Sequence, residues 1–188
     1  MSDTTKRNAV MIQLDFARVP SPVGELLIAA TTHTLLVLDY SDYASRMHQL
    51  LARRYGTDNY QLVPHPDPLQ MVSRVTAYFA GQLNAFDDVP VDTGGTPFQQ
   101  QVWHALRTIA PGTTISYGAL AARIGHPTAS RAVGRTNGLN PIAIVLPCHR
   151  VVGSSMALTG YAGGLHRKAW LLNHEGWAHT DRQTLLPL

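Results

Sequence analysis

The 188-residue chain predicts an α+β fold in two units, a supporting unit over residues 1–94 and a second unit over residues 95–188. Three observations carry that expectation. Short runs with strand-like alternation come first, and helical stripes follow them. The stretch Asp87-Asp88-Val89-Pro90-Val91-Asp92-Thr93-Gly94-Gly95 reads as a linker. The charge changes sign there: residues 1–94 hold seven Lys/Arg and ten Asp/Glu, whereas residues 95–188 hold eight and two. A basic C-terminal half suits a polyanionic partner, although basic surface by itself is common.

The first unit reads as strands and two helices. Residues 9–17 alternate in part, as a strand does, and Pro20-Ser21-Pro22-Val23-Gly24 is a turn. Glu25 to Ala30 and Thr34 to Asp39 form a hairpin about Thr31-Thr32-His33. Ser41 is placed to cap a helix from Asp42 to Tyr55, which Gly56 ends. Tyr60 to Val63 is a short strand. Pro68 opens a helix from Leu69 to Leu83 with Val72, Val75, Phe79 and Leu83 on one face. This half shows no chemical constellation, and His33, His48 and His65 are scattered along it.

The second unit opens on a capping box, Thr96 with Gln99 three residues later and Pro97 at the first helical position. Phe98, Val102, Ala105, Leu106 and Ile109 give the stripe, and Pro111-Gly112 ends it. Ser116 caps a helix from Tyr117 to Ile124, Gly125 stops it, and His126-Pro127-Thr128 leads into a third helix from Ala129 to Asn137. This is a helix-turn-helix signature, shared in sequence with any tight helical hairpin. On the third helix Ala129, Ser130, Ala132 and Gly134 are small. Arg131 and Arg135 lie four apart on one face. Two arginines on a slim helix suit a phosphate backbone or insertion into a duplex, and simply solvated arginines would look the same.

Ile142 to Leu146 reads as a buried strand that Pro147 turns out of. At its end stands Cys148, the only cysteine, followed by His149 and Arg150. Neighbouring cations lower a thiol's pKa and so raise its nucleophilicity; a buried cysteine acting as a small hydrophobe is the alternative. In a strand, successive side chains face opposite ways, so Cys148 and His149 would need a bridging water. Val151-Val152 continues the chain, and Leu158 to Gly164 is a glycine-rich loop without the Lys-Ser/Thr ending of a P-loop. It reads as a loop lining a pocket, with Tyr161 as a wall. The last helix runs from Leu165 to His174. Glu175 at its negative end costs up to about 1 kcal/mol unless a partner such as histidine compensates.

One cysteine leaves no internal disulfide and no multi-cysteine zinc site, and a reducing, cytoplasmic compartment is expected. Met1 to Asn8 has no apolar signal core, and no apolar run approaches the roughly 18 residues of a membrane span.

Pro147-Cys148-His149-Arg150-Val151-Val152 follows Arg131-Ala132-Val133-Gly134 and Asn140-Pro141. It precedes Gly160-Tyr161-Ala162-Gly163-Gly164 and Trp170-Leu171-Leu172-Asn173-His174-Glu175-Gly176. Together these closely resemble the O6-alkylguanine-DNA alkyltransferases, with Thr96-Pro97-Phe98-Gln99 and Tyr78-Phe79-Ala80-Gly81 resembling their bacterial branch. The resemblance spans Thr96 to Gly176 and is looser before it. It implies a ribonuclease-H-like N-terminal domain and a C-terminal winged helix-turn-helix domain, acting without cofactor or metal as a monomer able to cluster on DNA. It implies single-turnover, irreversible transfer of an alkyl group from O6-alkylguanine, and from O4-alkylthymine, in double-stranded DNA to Cys148. By the same resemblance His149 and Glu175 complete a charge network through a water, and Asn140 ties the helix-turn-helix to the cysteine segment. Tyr117 donates to the guanine ring and Arg131 fills the vacated stack, with Arg135, Ala129 and Thr128 beside it on the DNA. Tyr161, Ala162, Gly163 and Val151 wall the pocket, and Lys168 supports it. Some relatives carry serine where Ala162 stands, so only backbone N–H could reach the guanine oxygen here. The zinc site that some relatives build partly from N-terminal cysteines has no such cysteines in this chain.

Overall fold

The computed structural model describes residues 11–177; the start of the expected strand over 9–17 lies outside them. The N-terminal domain is built on a four-stranded sheet: β1 (Ile12–Val19), β2 (Leu26–Ala30), β3 (Leu35–Tyr40) and β4 (Tyr60–Pro64) in the order β3-β2-β1-β4. β1 pairs antiparallel with β2 and parallel with β4, and β2 pairs antiparallel with β3. Period-two alternation divides the sheet between two cores. Leu14, Leu27 and Ala29 pack with Met47 and Leu51 of helix α1 (Ala44–Tyr55). Ala17, Val19, Leu26, Ile28 and Ala30 face the other way, into a core shared with the C-terminal domain. β2 is therefore buried on both faces, which explains its unbroken apolar sequence.

The first helix begins later than expected. Ser41–Tyr43 is a 3₁₀ turn, Ser41 makes no side-chain cap, and α1 starts at Ala44. Gly56 does end it, at φ 90°. The expected helix over 69–83 contracts to α2 (Met71–Phe79), because Leu69 and Gln70 take positive φ. The Asp67 carboxylate accepts from the Val72 and Ser73 amides, fixing the start two residues inside the periodic stripe.

The stretch 87–95 is tied down instead of running free. Arg74 pairs with Asp88 and Arg54 with Asp92, and Arg107 donates to the carbonyls of Phe86, Asp87 and Val89. After it come α3 (Pro97–Leu106), β5 (Ile115–Ser116), α4 (Tyr117–Arg123), α5 (Ser130–Gly138), β6 (Val151–Val152) and α6 (Leu165–His174). Thr96 and Gln99 form both bonds of the capping box, and Ser116 caps α4 through the Ala119 amide. Gly125 at φ 80° makes the turn between α4 and α5, giving the helix-turn-helix, and β5 pairs parallel with β6 beside it.

The expected strand over Ile142–Leu146 is not one. Only Ile142 bridges to the free edge of β3, through Leu38 N–H to Pro141 O (3.1 Å) and Ala143 N–H to Leu38 O (2.7 Å). The chain then coils. Asn140 accepts from the Ile142 amide and donates to Leu146 O, while Leu146 N–H bonds back to Ile142 O. These local bonds satisfy the backbone that a sheet would otherwise pair. Ile144 adopts φ 68°, a conformation a β-branched residue holds only when its surroundings impose it.

Candidate active site

Cys148, His149 and Arg150 form one turn of 3₁₀ helix directly after the coil, and all three are buried. The strand argument for opposed side chains therefore does not apply; a turn fans them outward around one axis. Arg150 turns away from the thiol. Its guanidinium donates to both oxygens of Glu175 (2.8 and 2.7 Å) and to Ile109 O. His149 Nε2 lies 2.9 Å from Glu175 Oε1, and the Tyr78 hydroxyl donates to the same oxygen at 2.7 Å. Glu175 caps α6 and is 5% exposed, so its adverse position on the helix dipole is outweighed by these partners.

The electrostatics follow from burial. Burial works against the Glu175 charge, but the bonds from His149 and Arg150 outweigh it and hold the carboxyl far below its usual range. Burial lowers His149 below its ordinary value despite Glu175, so the imidazole is neutral. With Nε2–H donated to the carboxylate, Nδ1 carries the lone pair; it is buried and has no protein partner. The Cys148 thiol is pushed up by burial, against smaller opposing pulls from the Asn140 amide, the Lys168 ammonium and the Arg46 guanidinium. That corrects the expectation that flanking cations activate it: Arg150 is spent on Glu175 and His149 is uncharged. A neutral thiol, next in sequence to a neutral imidazole whose Nδ1 lone pair is open, can act as a nucleophile only once a base takes its proton.

Around the thiol is a narrow cleft of about 10 Å³ whose walls include Tyr161, Ala162 and Gly163 of the expected pocket, without Val151 or Lys168, and also Asn140, Tyr40, Arg46 and Asn137. A roomier cavity of about 380 Å³, walled by Leu36, Leu51, Trp103 and Leu139, contains no cysteine, histidine or carboxylate, so the chemistry belongs to the small cleft. Asn137 on α5 donates to Cys148 O (3.2 Å), and Asn140 holds Leu146 O (2.7 Å), so the end of α5 is bonded directly to the cysteine segment. Lys168 is wholly buried, and burial brings it down to about 8. Its ammonium donates to Val151 O (2.6 Å) and Thr159 O (2.8 Å), joining β6 to the glycine-rich loop. Val151 is itself packed in the core and meets the site through that carbonyl. The Tyr117 hydroxyl, raised by burial, donates to Thr159 O and Gly160 O of the same loop.

Arg131 and Arg135 stand exposed on α5 with no hydrogen bond or ion pair to the described residues, and Thr128 is exposed just before them. Ala129 is the N-cap position of α5, half-buried.

The contributions that sequence reading missed come mostly from the N-terminal half. Tyr40, Arg46 and Tyr78 reach the site across the domain junction, and Asp39 fixes Arg46 through two bonds (2.6 and 2.5 Å). The one available signal was Asp39 itself, a carboxylate inside the apolar run Leu35-Leu36-Val37-Leu38-Asp39-Tyr40.

Two family models and several known proteins match the chain. Residues 97–177 match the family model for the 6-O-methylguanine DNA methyltransferase DNA binding domain, and residues 16–93 match the ribonuclease-like domain of the same family. A methylated-DNA–protein-cysteine methyltransferase of Shigella flexneri is 45% identical over 168 residues, covering 89% of this chain and 98% of that one. The solved structure of Mycobacterium tuberculosis OGT in complex with DNA is 44% identical with a TM-score of 0.73, covering 87% of this chain and 92% of that one. The O6-methylguanine-DNA methyltransferase of the archaeon Pyrococcus kodakaraensis, at 26% identity, superposes with a TM-score of 0.65 over 87% of this chain and 99% of that one.

Proposed function

The chain belongs to the 6-O-methylguanine DNA methyltransferase family, and on that premise we propose that it repairs O6-alkylguanine in DNA by moving the alkyl group onto Cys148. The observation that carries the reading is the single turn holding Cys148 and His149, with His149 Nε2 bonded to buried Glu175 and its Nδ1 open. Because burial keeps the thiol protonated, reaction needs a base. His149 Nδ1 takes the Cys148 proton through a water, and Glu175, with Arg150 and Tyr78 fixing it, stabilises the imidazolium. The thiolate sulfur attacks the alkyl carbon, the bond from that carbon to O6 breaks, and its electron pair leaves on the guanine. The base is then neutralised by a proton from the Tyr117 hydroxyl, which draws its own replacement from solvent. The carbon–sulfur bond of a thioether is opened neither by water nor by exchange with a thiol, so Cys148, the only cysteine, is spent and each molecule reacts once.

A base inside a duplex cannot reach a buried sulfur, so the damaged nucleotide must be flipped out, at a cost of a few kcal/mol. Arg131 enters the vacated stack from α5, with Arg135, Thr128 and Ala129 along the backbone. Tyr117 must release Thr159 O and Gly160 O to reach the base. Ala162 offers only its backbone to the substrate oxygen. O4-alkylthymine presents the same alkyl ether and is the second substrate. The family resemblance further supports a monomer able to cluster on DNA.

The test is mass analysis of the Cys148 peptide after mixing the full-length protein with a duplex carrying O6-methylguanine. One added methyl group per molecule, and no more product than protein, is the expected result. An unmodified peptide defeats the proposal, and product in excess of protein points instead to a Cys-His-Glu hydrolase.

A further inference from the structure

We propose that the N-terminal domain sets the size of alkyl group that Cys148 accepts, with Tyr40 as the specificity-determining residue. The inference rests on the alkyl-transfer reading above and concerns the same cleft. Tyr40 ends β3, its side chain is wholly buried, and it shares the cleft wall with Cys148. Its hydroxyl and that of Tyr161 share a hydrogen bond of 2.8 Å, with the rings edge-on at 6.4 Å. Both hydroxyls are held neutral by burial.

Behind this pair the packing leaves no slack. A methyl group placed on Gly163 would lie 2.4 Å from Tyr40 Cε2 and 2.8 Å from Tyr161 Cε1, so glycine is required and the two rings close on its backbone. The Arg167 guanidinium lies over the Tyr40 ring, 4.2 Å from the ring centroid. Arg167 is itself fixed by Val23 O (2.8 Å), Asp42 (2.9 Å) and Gly163 O (3.1 Å). Two of those three partners belong to the N-terminal domain, so Arg167 reaches from α6 across the junction and fixes Tyr40, which in turn holds Tyr161.

The consequence is that the Tyr40–Tyr161 side of the wall cannot retreat one ring at a time. The cleft of about 10 Å³ has room for roughly one water-sized group. A methyl group is of that order. A benzyl group that widens the cleft on this side displaces Tyr161, and Tyr161 moves only if its bond to Tyr40 breaks or the Tyr40 ring yields with it.

Single-turnover transfer is measured on two duplexes that differ only in carrying O6-methylguanine or O6-benzylguanine. For Tyr40→Ala the benzyl-to-methyl rate ratio is expected to rise about fivefold or more, in the range that one altered pocket contact produces. Tyr40→Phe keeps the ring and loses the hydroxyl bond, and about a twofold rise is expected. A purely structural role would lower both rates by one factor, leaving the ratio unchanged, and that result overturns the proposal. If the alanine variant does not fold, the phenylalanine variant decides by the same criterion. Failure of the wild-type protein to transfer methyl would instead strike at the alkyl-transfer reading, so the two failures are distinct.

Discussion

Two buried carboxylates serve the cysteine from opposite domains, and they are held in opposite ways. Glu175 accepts from Arg150, Tyr78 and His149, and its pKa falls far below the usual range. Asp39 accepts from Arg46 and from its neighbour's amide, and burial wins, leaving its pKa raised. The difference lies in what each must do. In the proposed transfer, Glu175 remains an anion while the histidine it touches gains a proton. Asp39 has only to fix a guanidinium in the cleft wall.

Removing the Glu175 charge is the strongest way to break this comparison. Glu175→Gln keeps the shape but leaves the Arg150 side chain, 8% exposed, without its counter-charge. The expected loss is about 3–5 kcal/mol of stability. Methyl transfer should fall about 100-fold or more as the imidazolium loses its stabiliser. Denaturant unfolding and single-turnover transfer measure the two separately. A variant with wild-type stability would mean that the partners around Glu175 do not act as a charge network.

Acid should separate the same two groups by sign. Glu175 and His149 both bind protons less readily folded than unfolded, so their contribution is full above the ordinary histidine value of 6.5. It is lost as pH falls, first through the histidine window and then below the ordinary carboxyl value of 4.5. Asp39 has the opposite sign: its raised pKa favours the folded state as pH falls through its folded value towards 3.8, a gain complete below 3.8 that partly offsets the decline. Stability measured from pH 7 to 4 should therefore decline, by up to about 1.4 kcal/mol per pH unit for each proton taken up. Glu175→Gln should flatten the acid limb of that curve. A curve flat in the wild-type protein would contradict a neutral buried His149.

Asp39→Asn should cost less, about 1–3 kcal/mol, because asparagine still accepts one bond and Arg46, with 25% of its side chain exposed, can turn to water. Methyl transfer should drop only a fewfold, since His149 is untouched. A loss equal to that of Glu175→Gln would make Arg46 a partner in the chemistry and erase the asymmetry.

How much of this was legible in sequence follows the same division. Features carried by local rules were readable: the capping box at Thr96 and Gln99, the Ser116 cap, and the Gly125 turn between α4 and α5. Cys148, His149 and Glu175 were readable through the resemblance, and helix-end logic alone asked for a partner at Glu175. Contacts between distant segments were not. Tyr78 lies 97 residues from Glu175, and Tyr40 lies 121 from Tyr161. No periodicity reports such pairs. The strand assigned to Ile142–Leu146 failed for a related reason. Its β-branched composition is that of a buried strand, but the Asn140 side chain and a positive φ at Ile144 coil it instead.

Charges outside both networks provide the control. Arg131 on α5 is exposed and makes no hydrogen bond or ion pair with the described residues, so Arg131→Ala should leave stability within about 0.5 kcal/mol. Its role should appear only on a duplex. Repair of O6-methylguanine in double-stranded DNA is expected to slow about tenfold or more, because nothing then fills the gap left by the flipped nucleotide. Reaction with a free modified guanine, which needs no flipping, should keep nearly its wild-type rate. The ratio of the two rates is the measurement, and it separates an arginine that opens the duplex from one that merely adds positive charge to the surface. Equal losses on both substrates would place Arg131 with the buried groups that shape Cys148, and the partition between buried charges that run the chemistry and exposed charges that deliver the substrate would fail at its simplest point.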